Sequence, residues 1–453
     1  MKDNNTTARD QWSGRIGFIL AAAGSAIGLG NIWGFPYKTG VNGGGLFVLI
    51  YLFCILFIGL PVVIAEIMIG RNTQKSPIAA FAQYSSKRSP WCLVGVLGVI
   101  CSVVIMSYYS MIAGWTLNYC FKSLFRCFDG KNFQEVTQLF KNLQGTTWEQ
   151  LIWHIVFMGM TVGILYGGIK NGIEKWSKIL MPILFLLMIG LVLYSFIFLF
   201  QGTVQSLRFT FLPKGPLKPE AIFKAVGQAF FTLSLGMGTM LTYGSYLDKK
   251  SDIPKASAWI CGLDTFIALI ACVVVFPIIF QNNAEPTGGP GLVFESLPVL
   301  FNTIPGGMFF GAAFFLLLAF AALTSAISIT EVSIAFVMDH FHFSRKKMSI
   351  IIGILVCLAG FPCIHQTYFG WMEYLTDLAL PLGGIFISLF VGWKMPRKVT
   401  FEEFTIGNNL AKMYPIWLFL VRVFIPIILT IFMLNMFNVI PTESINAFFG
   451  FGN

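Results

Sequence analysis

Apolar residues along this chain come in long runs separated by mostly short polar connections. Windows of about 20 apolar residues, the length a helix needs to cross a bilayer, give eleven segments. They centre near Ala26, Leu56, Met106, Phe157, Leu187, Leu235, Ala271, Leu317, Ile354, Phe386 and Pro426. Two segments break the pattern. In the first, Gly24-Ser25-Ala26-Ile27-Gly28-Leu29-Gly30-Asn31-Ile32-Trp33-Gly34-Phe35-Pro36-Tyr37 holds four glycines, an asparagine and a proline where an unbroken helix is expected. In the sixth, the stretch from Gly227 to Thr239 puts glycines and polar residues at the middle. Lipid cannot hydrogen-bond loose backbone groups, so irregular backbone at membrane depth is tolerated only where it is enclosed by protein or lines a cavity. Both breaks therefore predict a binding site.

The two breaks lie five segments apart. Interrupted helices at corresponding places in two halves point to inverted repeats with the site where the breaks meet. The expected organisation is one transmembrane domain over residues 1–453, with a first five-helix repeat in 1–200, a second inverted repeat in 201–400, and an eleventh helix at 413–438 outside the repeat. The fold class is all-α and polytopic.

Composition agrees: 56% of residues are hydrophobic and 11% charged, against roughly 25% charged in a soluble domain. Lys2, Arg9 and Arg15 precede the first span, and Arg71, Lys75, Lys87 and Arg88 follow the second. Lysines and arginines recur in alternate loops as far as Lys394, Arg397 and Lys398, while Asn282 to Pro305 has none. The positive-inside rule makes the N-terminus cytoplasmic, and an odd span count puts the C-terminus outside, in a multi-pass cell-membrane protein. No cleavable signal peptide is read. The net charge of +10 follows from that topology, so no nucleic-acid partner is expected. The nine cysteines show no metal spacing. Cys127 falls in an outer loop, with Cys120 near. Phe125 to Trp148 and Gln201 to Glu220 read as outer loops. Asn283 to Gly307 encloses a short amphipathic stretch that suits either a re-entrant lid or an ordinary surface loop.

A broken helix offers carbonyls with partial negative charge at the end of one half and amides with partial positive charge at the start of the next. A sodium ion and an amino-acid carboxylate fit that pair; close helix packing is the other use of such glycines. Three carboxylates lie within spans, where each needs a partner. Asp264 suits a bound cation, Glu66 a structural cap on the broken helices, and Glu331 the lining of an inner exit. Thr324-Ser325 puts two hydroxyls in an apolar helix, either bonded back to the preceding turn or serving as oxygen ligands of a hard cation. Of Tyr108 and Tyr109, one phenol faces the cavity and the other packs.

Together these motifs resemble the neurotransmitter:sodium symporter family, with its LeuT fold, over essentially the whole chain. The resemblance runs from Trp12-Ser13-Gly14-Arg15 through Asn42-Gly43-Gly44-Gly45, Gly227-Gln228 to Gly238, and Leu323-Thr324-Ser325, to Leu380-Pro381-Leu382-Gly383-Gly384. Asp264 and Gly236-Met237-Gly238 look most like the bacterial multi-hydrophobic amino acid transporters. The resemblance implies two sodium ions, the first held by Ala26, Asn31, Thr232 and Asp264 and the second by Gly24, Ile27, Ala321, Thr324 and Ser325. It implies a substrate pocket of Ser25, Ala26, Gly28, Leu29, Gly30, Ile105, Tyr109, Phe231, Thr232, Ser234, Met237, Ser325 and Ile329. Family members that carry monoamines have an aspartate where this chain has Gly28, which leaves room for a substrate carboxylate. A large hydrophobic or aromatic L-amino acid is the expected cargo.

The family's chloride site maps to Tyr51, Gln228, Thr232, Asp264 and Ala268. Asp264 carries a fixed negative charge where chloride-dependent members have a neutral asparagine, so no chloride requirement is expected. The gates implied are Tyr109 and Phe231 outside, and Arg9 with Asp339, helped by Trp12 and Tyr246, inside. The outer ion pair departs from the pattern: the family's arginine is Gly34 here, its acidic partner appears as Glu373, and Lys38 either substitutes or snorkels outward. The reading is a sodium-coupled importer working by alternating access, with the bilayer and its substrate as partners and no obligate protein partner. The rival is a transceptor of the same fold that binds amino acids but transports poorly. An enzyme is not expected, since no nucleophile–base pair or His/Cys cluster appears among the motifs.

Overall fold

In the computed structural model, which describes residues 10–213, 219–282, 291–341, 343–437 and 439, the first apolar run is two helices rather than one. Arg15–Ala26 stops where Ile27 turns extended (φ −74°, ψ 98°), and Gly30–Val41 resumes at 50° to it. The sixth element in chain order is also an interrupted pair, Pro219–Thr232 and Thr239–Gly244. Between its halves Ser234, Gly236 and Gly238 have φ of 53°, 81° and 78°. Gly236 is required twice over. Its backbone is left-handed, and a β-carbon there would lie 2.9 Å from the carbonyl carbon of Leu380, so Gln366–Lys394 packs directly on the break.

Nine described helices are long and apolar enough to cross a membrane, ten when the bent pair counts as one. After the first pair come Gly45–Thr73, Cys92–Leu124, Thr147–Tyr166 and Ile169–Phe198. Beyond the second pair come Ile253–Gln281, Gly307–Phe341, Arg345–Ile364, Gln366–Lys394 and Ala411–Met436. Among the described residues no β-strand forms; Gly44 and Pro213 make one isolated antiparallel bridge.

The helices divide into an enclosed set and an enclosing set. In its most apolar stretch Gly307–Phe341 is 83% buried, whereas Ile169–Phe198 is 33% and Thr147–Tyr166 39% buried. Gly307–Phe341 and Cys92–Leu124 form the most extensive helix pair. Both bent pairs pack against this core. The outer helices present Leu186, Ile197, Ile354 and Leu358 outward, as lipid contact requires.

The connections hold more structure than a loop reading gives. The segment read as a mixed outer loop contains the helix Phe133–Gly145, started by a reciprocal capping box between Asn132 and Glu135. The next contains Phe200–Phe211. Of the lid segment, residues 283–290 lie outside the described residues; Leu297–Phe301 is a short helix. Phe294 is buried against Trp33, Trp115, Tyr119, Phe140 and Phe315, so this part of the stretch packs inward. All nine cysteines are free, Cys127 exposed and Cys120 buried.

Candidate functional site

The two breaks face each other across one cavity. It is lined by Ser25, Ala26, Gly28, Leu29, Gly30, Ile105, Tyr109, Phe231, Thr232, Ser234, Met237, Ser325 and Ile329, all of the residues expected from the sequence to form a pocket. Its volume is about 20 Å³, close to the room one water needs. Half-buried Phe231 closes one side, packed so near Gly30 that a β-carbon there would lie 2.9 Å from its ring. Tyr109 turns its hydroxyl toward the break and accepts from the Leu29 amide at 3.5 Å. Tyr108 is the packing phenol, its ring 5.6 Å from Phe369.

On one flank of the cavity sits Asp264, fully buried. Its Oδ1 accepts from Asn31 Nδ2 at 2.7 Å and from Thr232 Oγ1 at 2.9 Å, and its Oδ2 from Tyr51 at 3.2 Å. Asn31 also accepts from the Gly28 amide at 3.0 Å. Among the described residues no lysine, arginine or histidine pairs with Asp264; the ion pairs engage other groups. A buried carboxylate whose protein partners are all neutral is incompletely compensated. A hard cation, bound by carboxylate, amide and hydroxyl oxygens, fits that deficit.

The other flank is built from the end of Arg15–Ala26 and the middle of Gly307–Phe341. Ser325 Oγ lies 3.0 Å from the Ser25 carbonyl oxygen and 3.5 Å from those of Gly24 and Ile27. Thr324 Oγ1 bonds back to Ala321 and Phe320 at 3.0 and 3.2 Å. The two hydroxyls thus divide the alternatives: Thr324 bonds back to the preceding turn of its own helix, and Ser325 reaches across to the carbonyls the break leaves free. Gly24 brings these groups together, since a β-carbon on it would sit 3.3 Å from Thr324 Cβ. Ser325 Oγ thus gathers the carbonyl oxygens of Gly24, Ser25 and Ile27, and Thr324 Oγ1 that of Ala321, next to it. Ser25 and Ser234 tie the two breaks directly, Ser234 Oγ donating to the Ser25 carbonyl at 3.1 Å.

Glu66 takes the capping role. Its Oε1 accepts from the Gly236 amide at 2.8 Å, at the positive end of the half-helix that follows.

At the outer end, Lys38 Nζ donates to Gln228 Oε1 at 2.8 Å, and Gln228 Nε2 donates to the Gly30 carbonyl at 2.8 Å. Gly34 opens onto the same amide: a β-carbon there would meet Gln228 Oε1 at 3.7 Å. Lys38 thus points inward to the break. Asp377 and Glu373, one helical turn apart, are the carboxylates that bear on its charge, so the acidic partner expected from sequence is one of two.

At the inner end, Trp12 donates from its ring to the Tyr243 carbonyl at 3.0 Å and from its backbone to that of Tyr246 at 3.1 Å. Asp339 accepts from the Ser76 amide at 2.6 Å; Arg9 lies outside the described residues. Tyr246 donates to Glu331 Oε1 at 2.7 Å, and Glu331 pairs with Arg345. Sequence reasoning missed Arg345 and Asp377. The first reads as one more loop charge, and the second sits a helical turn after Glu373 with nothing to distinguish it.

The model of the sodium:neurotransmitter symporter family matches residues 9–134 and 126–450. The sodium-dependent transporter YhdH of Bacillus subtilis (strain 168) is 37% identical over 95% of this chain and 98% of its own length. A sodium-dependent transporter of Haemophilus influenzae is 30% identical over 96% of this chain and 99% of its own length. Among solved structures, MhsT in complex with L-phenylalanine superposes with a TM-score of 0.86 at 39% identity, covering 94% of this chain and 99% of that one.

Proposed function

The chain belongs to the sodium:neurotransmitter symporter family, and within it we propose a chloride-independent importer of large hydrophobic or aromatic L-amino acids. It is a sodium-dependent membrane transporter of the LeuT fold and not an enzyme. What goes further is the cargo, the ions and their sites. The proposed topology has eleven crossings, the pair Pro219–Thr232 and Thr239–Gly244 counted as one, with the N-terminus cytoplasmic and the C-terminus outside.

One observation carries the reading: a buried carboxylate with only neutral partners, Asp264, joined through Asn31 to the Gly28 amide on the wall of the cavity. One sodium ion belongs among Ala26, Asn31, Thr232 and Asp264, and a second among Gly24, Ile27, Ala321, Thr324 and Ser325. The substrate carboxylate belongs at the start of the half-helix after Gly28, beside the Leu29 amide and the Tyr109 hydroxyl that now accepts from it. Gly28 has no space for an acidic side chain, since even a β-carbon would lie 2.6 Å from Ser325 Oγ. An amine cargo therefore lacks a counter-charge. The rest of the wall is mostly apolar, and Met237, flanked by two left-handed glycines, can reshape to a bulky side chain. That phenylalanine is bound in the solved structure of MhsT supports the same class.

Tyr51 and Thr232, two of the expected chloride ligands, are bonded to the Asp264 carboxylate, and Gln228 turns to Lys38 and Gly30. This supports chloride independence. Lys38 with Gln228, Asp377 and Glu373 forms the outer gate together with Tyr109 and Phe231. Trp12, Tyr246, Asp339 and Arg9 form the inner one.

The test is uptake into proteoliposomes under an inward sodium gradient, with chloride replaced by gluconate and all twenty amino acids as competitors. Concentrative uptake competed by phenylalanine, leucine and their like is expected. Competition led by glycine or acidic amino acids overturns the cargo, loss of uptake in gluconate overturns chloride independence, and binding without accumulation favours the transceptor.

A further inference from the structure

Apart from Lys412 near its start, Arg422 is the only charged residue of Ala411–Met436. A charge within an apolar span is expensive and takes a partner. Among the described residues it has no carboxylate, because every ion pair engages other side chains. What it has is Trp393: the guanidinium carbon lies 3.8 Å from the ring centroid, and the Trp393 ring N–H donates to the Arg422 carbonyl at 3.0 Å. Gly392 makes this possible, since a β-carbon there would be 2.8 Å from Arg422 Cα, so the two helices touch backbone to backbone. Arg422 Nε is buried without an acceptor, while neither Nη is closed off in that way. Stacking on an aromatic ring recovers less than a charge in lipid costs. The guanidinium is thus held against the ring, with its Nη atoms not closed off and without a carboxylate among the described residues.

The surroundings say what would meet it. Trp393 is 60% exposed, and Phe419, one turn before Arg422, is 57% exposed, as is usual for side chains that face acyl chains. Lys394, Arg397, Lys398 and Lys412, all exposed, stand at the same end of these two helices, the end proposed to be cytoplasmic. Of the two carboxylates in that stretch, Glu403 is committed to Arg71, and Glu402 is exposed. We propose that Arg422, stacked on Trp393, is a binding site for the phosphate of an anionic phospholipid, with Phe419 and the outer face of Trp393 against its acyl chains. A planar guanidinium matches a phosphate through two parallel N–H···O bonds, and the four loop cations draw the anionic headgroup to this end.

Native mass spectrometry of the purified full chain, titrated with phosphatidylglycerol or phosphatidylcholine of identical acyl chains, tests this. The wild type is expected to retain one phosphatidylglycerol in preference to phosphatidylcholine. Arg422→Gln is expected to weaken that retention about tenfold, the usual effect of losing a charge-assisted hydrogen bond. Arg422→Lys, which keeps the charge but not the fork, is expected to fall between. Unchanged retention in Arg422→Gln, equal retention of the two lipids by the wild type, or displacement of phosphatidylglycerol by millimolar inorganic phosphate overturns the proposal. So does an equal loss of both lipids in Arg422→Gln and Arg422→Lys, which marks a packing defect instead of a phosphate site.

Discussion

Replacing Gly28 by alanine is expected to weaken sodium binding through a residue the alanine does not replace. The added β-carbon falls 2.6 Å from Ser325 Oγ and 3.0 Å from Tyr109 OH. Ordinary contact begins near 3.4 Å, so Ser325 Oγ has to retreat by about 0.8 Å, which a staggered side chain does by leaving for another rotamer. The retreat breaks the 3.0 Å bond to the Ser25 carbonyl and takes the oxygen away from the carbonyls of Gly24 and Ile27. An oxygen withdrawn from a bound cation is comparable to a lost hydrogen bond to a charged group, about 1.5–3 kcal/mol. Sodium half-saturation of substrate binding is thus expected to rise by roughly tenfold to a hundredfold. Equilibrium binding of labelled substrate against sodium concentration reads this directly. Ser325→Ala removes the same oxygen without the clash, and in the double variant only the milder 3.0 Å approach to Tyr109 OH remains. The double variant is therefore expected to bind sodium no worse than Ser325→Ala, a coupled cycle. Two fully additive losses, or an unaltered sodium curve in Gly28→Ala, would refute the reasoning.

Asp264→Asn removes the buried charge while keeping a group of the same shape. Sodium affinity is expected to fall at least about tenfold, with uptake gaining a dependence on chloride that the wild type is proposed not to have, measured by chloride–gluconate exchange. Lys38→Met leaves Gln228 Oε1 without its cationic donor and is expected to speed substrate dissociation about tenfold, followed by dilution of the loaded transporter. Glu331→Ala strands Arg345 in a largely buried site and is expected to cost about 3 kcal/mol, seen as a lower unfolding temperature in detergent, with Glu331→Gln milder because it still accepts from Tyr246.

The breaks were legible because glycine, asparagine and proline inside an apolar run contradict a lipid-facing helix, and the structure bends the chain at the first and turns it at the second. Asp264 was legible as a charge within an otherwise apolar stretch. The polar relays were not. Lys38 and Gln228 are 190 residues apart, and Glu331 meets Arg345 across the turn between two helices, so each residue alone carries no sign of its partner. The aromatic packing around Phe294 was hidden for a similar reason. Its members come from five separate elements, far apart in the chain, which meet only in the folded molecule.

Asn31 holds Asp264 with its amide nitrogen and the Gly28 backbone with its amide oxygen, so one planar group is shared by the proposed ion site and the wall of the proposed substrate site. A rigid amide cannot move at one end alone. Whatever free energy an ion contributes by fixing that plane is available to the amino acid, and the reverse holds to the same extent, because coupling between two equilibria is reciprocal. The factor by which sodium sharpens substrate affinity should equal the factor by which substrate sharpens sodium affinity. A side chain at position 31 that keeps only one of the two bonds should shrink both factors together.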